Sequence, residues 1–159
     1  MKSIMKADLH NHSYYSDGFL SPSEVVRLAS KASCDLFSLT DHDTTDGIAE
    51  AKLEADKLGL NFINGVEISA FWRNMAIHIV GLGVDVNNDI LQAGLEHNKE
   101  LRKMRAEKIA LSLWRSGIKD ALEKTQMISG GHMLTRTHFA QMLIQEGYCK
   151  DMKSVFRRY

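Results

Sequence analysis

Two histidines stand two positions apart at the end of the first apolar run, in Asp8-Leu9-His10-Asn11-His12, and this spacing constrains the chain more than any other feature. In an extended segment, residues i and i+2 face the same side, so both imidazoles can converge on one point. Asp17 follows in Ser16-Asp17-Gly18, where glycine lets the chain turn sharply and bring a carboxylate back to the same place. The next apolar run ends in Thr40-Asp41-His42-Asp43. The third ends in Gly65-Val66-Glu67-Ile68-Ser69, where Val66 and Ile68 face one side and Glu67 the other. His78 lies between Ile77 and Ile79, on the face shared with Ala76 and Val80. Singly, each has an ordinary reading as a hydrogen-bonded strand residue. Four successive strand ends that deliver histidine, carboxylate or both change the odds, because such a donor set suits Zn²⁺, Mn²⁺ or Fe²⁺. Without a cation, buried carboxylates would need several hydrogen bonds or neutralisation.

The runs carrying these residues alternate with helical stretches, the pattern of a parallel sheet built from βα units. Strands are predicted at 4–9, 35–40, 61–69 and 76–83. Ser21-Pro22-Ser23-Glu24 opens the first helix: Ser21 caps, Pro22 takes the first helical position, and Glu24 closes a capping box. Val25, Leu28, Ala29 and Ala32 are its apolar positions. A second helix covers 46–58 and stops at Gly59. Beyond Asn88 no convincing strand remains. Residues 90–116 read as one long amphipathic helix ended by Gly117, with Leu91, Leu95, Leu101, Met104, Ile109, Leu113 and Trp114 on its apolar side. Shorter helices are predicted at 118–126 and 134–145, and 151–159 reads as the opening turns of another. The shift at Asn88 divides 1–87 from 88–159. The methionines and Trp114 are expected in the core, His138 in helix packing, and His97 and His132 toward solvent.

The 159 residues suit one compact core. The balance of 20 Lys+Arg against 20 Asp+Glu excludes a polyanion-coating protein driven by net charge, so no stable DNA partner is implied. There is no apolar run of ~18 residues and no signal-peptide core at the start. No membrane partner is expected, and the expected location is cytoplasmic. Cys34 and Cys149 read as reduced, mostly buried thiols.

Taken in order, Asp8-Leu9-His10-Asn11-His12-Ser13, Ser16-Asp17-Gly18, Thr40-Asp41-His42-Asp43, Gly65-Val66-Glu67-Ile68-Ser69 and His78-Ile79-Val80-Gly81-Leu82-Gly83 resemble the successive motifs of the polymerase and histidinol phosphatase (PHP) domain family. Within that family the chain is most similar to the stand-alone bacterial group that includes RNase AM and the 3′,5′-nucleoside bisphosphate phosphatases. That group carries a helical insertion after the fourth strand. Leu134-Thr135-Arg136-Thr137-His138-Phe139-Ala140, Gly147-Tyr148 and Phe156-Arg157-Arg158-Tyr159 resemble its stretches.

The resemblance implies an α/β fold, the N-terminal part of a distorted (βα)7 barrel (1–87) with a helical insertion subdomain (88–159). It also implies a site for up to three divalent ions, Mn²⁺ first and Zn²⁺ or Fe²⁺ as alternatives. His10, His12, Asp17, His42, Glu67 and His78 are the implied ligands, with Glu67 bridging two ions. Asp41 and Asp43 would orient His42 or cap nearby backbone, plain turn carboxylates being the competing reading. The implied reaction is hydrolysis of phosphate esters of a nucleotide or short RNA by metal-activated hydroxide. Arg136 and Arg158 are candidate phosphate clamps, against the reading that Arg102, Lys103, Arg105, Lys108, Arg157 and Arg158 form a solvated helix face. Family members continue past this point with a further histidine in an Ala-His-Pro motif and a late Asp-x-His. Neither follows Gly83 here. The chain is therefore expected to be truncated or to meet a completing chain or C-terminal segment, and to be poorly active alone. A non-catalytic metal-binding or structural PHP module, and a histidinol-phosphatase-like monoesterase, stand as alternatives.

Overall fold

A computed structural model describes residues 5–73 and 75–159. Two compact units emerge, one extending to Lys99 and the other covering Glu100–Tyr159. The first contains β1 (Ala7–Asp8), α1 (Pro22–Lys31), β2 (Leu36–Leu39), α2 (Ile48–Leu58), β3 (Asn61–Trp72) and β4 (Met75–Leu82). The boundary falls inside α3 (Asp89–Arg115), which starts where the sequence changes character at Asn88. The second unit adds α4 (Ala121–Ile128), α5 (Arg136–Gln145) and α6 (Met152–Arg158).

In the first unit the strands follow chain order, β1-β2-β3-β4. β1 with β2 and β2 with β3 pair in parallel, as the βα alternation requires. The fourth strand departs from that plan. β3 and β4 are antiparallel, in register from Gly65 opposite Leu82 to Trp72 opposite Met75. A parallel return needs a crossover of a dozen or more residues, whereas antiparallel strands can be joined by a tight hairpin. Here β3 runs past the predicted end at Ser69 as far as Trp72, leaving no length for a crossover. The predicted strand 4–9 contracts to Ala7–Asp8, and position 4 lies outside the described residues.

α1 begins as read. The Ser21 hydroxyl accepts from Glu24 N, and the Glu24 carboxylate accepts from Ser21 N. Its inward stripe is Pro22, Val26 and Ala29, while Leu28 is 53% exposed and Ala32 exposed. The face is rotated from the predicted one because Val26, between the two apolar positions first singled out, is the residue that meets the sheet. Val26, Ala29, Phe37, Leu39, Ile48, Ala51, Ala55 and Leu60 form the core of this unit, so the helix-facing side of β2 is dry and its other side is free to carry polar groups. Gly59, in the left-handed region at φ 66°, ends α2.

The second unit packs Ala106, Leu113, Ile118, Ala121, Phe139, Ala140, Met142, Leu143 and Val155 around Ile109 and Ala110. The inward stripe of α3 is 106-109-110-113, a regular helical spacing, which leaves Met104 and Trp114 outside it. Trp114 is 60% exposed and Met127 72%, against the expectation that both are core. Arg102 is buried rather than part of a solvated face, and His132 is half-buried rather than open to solvent, whereas His97 is exposed. His138 is buried at the start of α5, where its Nδ1 accepts from Thr135 N. Cys34 and Cys149 are free and only half-buried. Among the described residues no helix is long and apolar enough to cross a membrane.

Two predictions follow from this packing. A Cβ at Gly65 would lie 2.3 Å from Ser38 Oγ and 2.9 Å from Leu39 O, a backbone atom that cannot swing away. Gly65→Ala is therefore expected to lower stability by about 1–3 kcal/mol, read as a lower urea midpoint; an unchanged midpoint contradicts the tight β2–β3 approach. Arg27 Nε donates to Glu54 Oε1 at 2.6 Å, and this bond is the main reason Glu54 lies below the usual carboxylate range. The folded state thus binds the Glu54 proton less readily than the unfolded chain. The associated stability is full above the unfolded value of about 4.3 and is lost as pH falls through the lower folded value. Arg27→Ala should flatten this part of the stability–pH profile, and an identical acid limb in the variant would refute the coupling.

Candidate metal centre

The segment leaving β1 carries His10 and His12, the turn at Gly18 returns Asp17, the loop after β2 carries His42, and Glu67 and His78 sit on β3 and β4. Gly18 is required there, since a Cβ would fall 2.3 Å from His12 O. Ser69 faces His78 and Glu67 faces Val80 across the hairpin, so His78 and Glu67 share a face. His42 pairs with Glu67 through an isolated parallel bridge, just beyond the β2–β3 ladder.

Four imidazoles meet around Glu67. Its Oε2 lies 2.9 Å from His10 Nε2, 3.1 Å from His12 Nε2 and 3.5 Å from His42 Nδ1, and its Oε1 lies 3.2 Å from His78 Nδ1. Asp17 closes the other side, 3.5 Å from His12 Nδ1 and 3.8 Å from His42 Nε2. Three groups, His10-His12-Glu67, His12-Asp17-His42 and His42-Glu67-His78, each bring their donor atoms within 4.8 Å of one another. The Glu67 side chain is only 7% exposed, while His10 and His78 are 54% and 40% exposed. The carboxylate forms the floor of the cluster and these two imidazoles its solvent side. Burial pushes the Glu67 carboxyl up, but the His10 hydrogen bond and the charges of His42, His12 and His10 outweigh it and hold the group below its usual range. Four imidazoles and two carboxylates at these separations fit borderline divalent cations that take nitrogen and oxygen ligands.

Behind the cluster lie two aspartates that cap backbone. Asp41, 2% exposed, accepts from Ser13 N at 2.7 Å, Ser13 Oγ at 2.6 Å and Ser16 Oγ at 2.6 Å. Burial pushes this carboxyl up, the serine hydrogen bonds and His12 pulling it back only in part. The result ties the His12–Asp17 loop to the end of β2. Asp43 accepts from Ser69 N at 2.7 Å and from Asn98 Nδ2 at 2.9 Å. The roles of Ser13, Ser16, Ser69 and Asn98 were not read from the sequence. A buried aspartate demands donors, so the serines beside His12 carried a usable signal; Asn98, inside a long helix, carried none.

Arg136 and Arg158 belong to the second unit. Arg136 is exposed and lines a cavity of about 110 Å³ with Phe139, Phe156 and Tyr159. Arg158 is exposed, donates to Tyr148 O at 3.3 Å and lies 5.3 Å from the centre of the Tyr159 ring.

The chain belongs to the PHP domain family, whose model matches residues 8–155. It is 44% identical over 153 residues to the 3′,5′-nucleoside bisphosphate phosphatase of Chromobacterium violaceum, covering 96% of this chain and 54% of that protein. It is 42% identical over 154 residues to the 5′-3′ exoribonuclease Rnm of Escherichia coli, covering 96% and 53%. A solved structure of an amidohydrolase from Chromobacterium violaceum, with bound sulfate and no metal, matches with a TM-score of 0.92 and 43% identity over 97% of this chain and 55% of that one. One from Bifidobacterium adolescentis, assigned as a metal-dependent phosphoesterase, matches with a TM-score of 0.83 over 98% and 55%, and at 22% identity it speaks to the fold alone. The chain spans about half the length of the curated relatives it matches.

Asp41→Ala would strand three donors in a buried loop, and a loss of roughly 3 kcal/mol is expected, measured by urea denaturation. A change below about 0.5 kcal/mol, the usual range for surface substitutions, would show that Asp41 does not hold the loop.

Proposed function

We propose that this chain carries most of the metal-binding half of a phosphoesterase that hydrolyses phosphate esters of nucleotides or short RNA. The observation that carries this reading is the buried Glu67 carboxylate with four imidazoles converging on it. The named activities of the relatives, a nucleoside bisphosphate phosphatase and an exoribonuclease, support the substrate class. His10, His12, Asp17, His42, Glu67 and His78 would hold divalent ions, Mn²⁺ first, with both oxygens of Glu67 facing different histidines. Divalent ions bound there supply Lewis acidity toward phosphate oxygens and lower the pKa of bound water.

The chain's own part is geometric and electrostatic. Asp41, Ser13 and Ser16 fix the loop that presents His12 and Asp17. His10 and His78 remain exposed at the solvent side, where a phosphate ester can approach. Glu67 is kept ionised by its histidine neighbours, which keeps it a ligand at neutral pH. Arg136, exposed at the start of α5, is the chain's candidate for pairing with a substrate phosphate, since a guanidinium fork matches two phosphate oxygens; Arg158 is the second.

Hydrolysis is tested with a nucleoside 3′,5′-bisphosphate and a 5′-phosphorylated oligoribonucleotide in Mn²⁺, using the chain itself and the chain fused to the unmatched half of the Chromobacterium violaceum relative. Release of phosphate or nucleotide by the fusion is expected, with little from the chain alone. Failure of both with both substrates would sink the reading. Glu67→Gln should weaken Mn²⁺ binding by ~100-fold or more, because even groups one layer behind a ligand are worth ~10–100-fold. Unaltered affinity in a chelator competition would remove Glu67 from the ligand set.

A further inference from the structure

The β2–β3 ladder ends at Leu39 opposite Asn64, and beyond it the backbone of His42 meets Glu67 through an isolated bridge. One side of this bridge is Glu67 N donating to Asp41 O at 3.1 Å. Asp43, directly after His42, adopts the left-handed region at φ 51°, and its N donates to Glu67 O at 2.9 Å. Its side chain accepts from Ser69 N, two residues beyond Glu67. Into this junction α3 inserts Asn98, half-buried, whose Nδ2 donates to Asp43 Oδ1 at 2.9 Å and to Ser69 O at 2.9 Å. Both partners are acceptors, so the amide must turn its nitrogen toward them. One amide thus bonds the loop that presents His42 and the strand that presents Glu67.

Two other residues of α3 hold the same loop farther from the cluster. Gln92 Nε2 donates to Thr45 Oγ1 at 3.0 Å, and Lys99 Nζ donates to Asp46 Oδ2 at 3.2 Å. These contacts attach the helix to the loop. Asn98 differs in bonding to β3 as well.

We infer that Asn98 is a positioning residue for the metal centre: by bonding both Asp43 and Ser69 it reinforces their direct bond and steadies the spacing of His42 and Glu67, and so the affinity and geometry of the ion they would share. The inference rests on the reading of the cluster as a metal site. Its effect belongs to the range seen when groups behind a metal ligand are removed, ~10–100-fold in affinity.

The test is a Co²⁺ titration of the 159-residue chain, followed by the visible ligand-field absorption, for the wild type, Asn98→Ala, Asn98→Ser and Lys99→Ala. Asn98→Ala is expected to bind Co²⁺ ~10–100-fold more weakly with a displaced absorption band. Asn98→Ser, which keeps one donor, should fall between it and the wild type. Lys99→Ala, which loses an ion pair to the same loop, should match the wild type in affinity and band. Wild-type affinity and spectrum in Asn98→Ala would overturn the inference, and so would an equal weakening in Lys99→Ala, which would make Asn98 one anchor of the helix among several. Loss of the wild-type far-UV circular dichroism in both Asn98 variants would overturn it too, since the residue would then serve folding alone. A wild-type chain that binds no Co²⁺ would defeat the metal-site reading itself, an outcome separate from the others.

Discussion

A carboxylate on the floor of a sheet is expensive unless something positive faces it, and Glu67 is that carboxylate. Taking an ion out of water costs several kcal/mol even after relaxation, more than a neutral hydrogen bond or two returns. The residues gathered around it are imidazoles, whose ring nitrogens can ligate a cation. A cation held among them would balance the carboxylate's charge. This requirement explains why the first unit sends its loops to one end of the sheet: His10 and His12 from the end of β1, His42 from the end of β2, and His78 from across the hairpin all approach the same two oxygens.

Around that centre the structure separates two tasks that the sequence mixes. Alternation along β2 places Phe37 and Leu39 in the dry core against α1 and α2, and aspartates at 41 and 43 take over where the strand ends. These aspartates do not reach for the cluster's floor. Asp41 holds the serines of the preceding loop, and Asp43 holds the backbone of β3. Both carboxylates are thus engaged by hydrogen bonds within the segments that carry His12, His42 and Glu67.

Much of this was legible in the residues. The i, i+2 spacing of His10 and His12, the strand-end placement of His42 and the alternation that turns Glu67 away from Val66 all depend on local periodicity, which a single sequence states directly. The capping box at Ser21 and the stop at Gly59 are equally local. What was missed depends on tertiary choices. The direction of β4 is set by how far β3 continues past Ser69, and Phe71-Trp72 has no feature that marks a strand's end. Val26 replaces Leu28 on the inner face of α1 because the sheet selects the face. Trp114 lies outside the core because the stripe through Ala106, Ile109, Ala110 and Leu113 packs inward instead. Asn98 was invisible for a related reason: an asparagine in a long helix reads as polar surface until its partners, Asp43 and Ser69, are known.

The antiparallel turn between β3 and β4 also bears on the entropy of assembly. A hairpin closes over a short stretch of chain, on the microsecond scale, whereas contacts distant in sequence must first overcome the entropy of a long loop. Glu67 and His78 lie on the two arms of that hairpin, while His10 meets Glu67 across 57 residues and His78 meets His42 across 36. Loop-closure entropy therefore favours the β3–β4 pairing over the longer-range contacts. The hairpin brings the acidic centre and one histidine together at the lowest entropic cost, and the imidazoles of His10, His12 and His42 reach the same carboxylate across much longer stretches of chain.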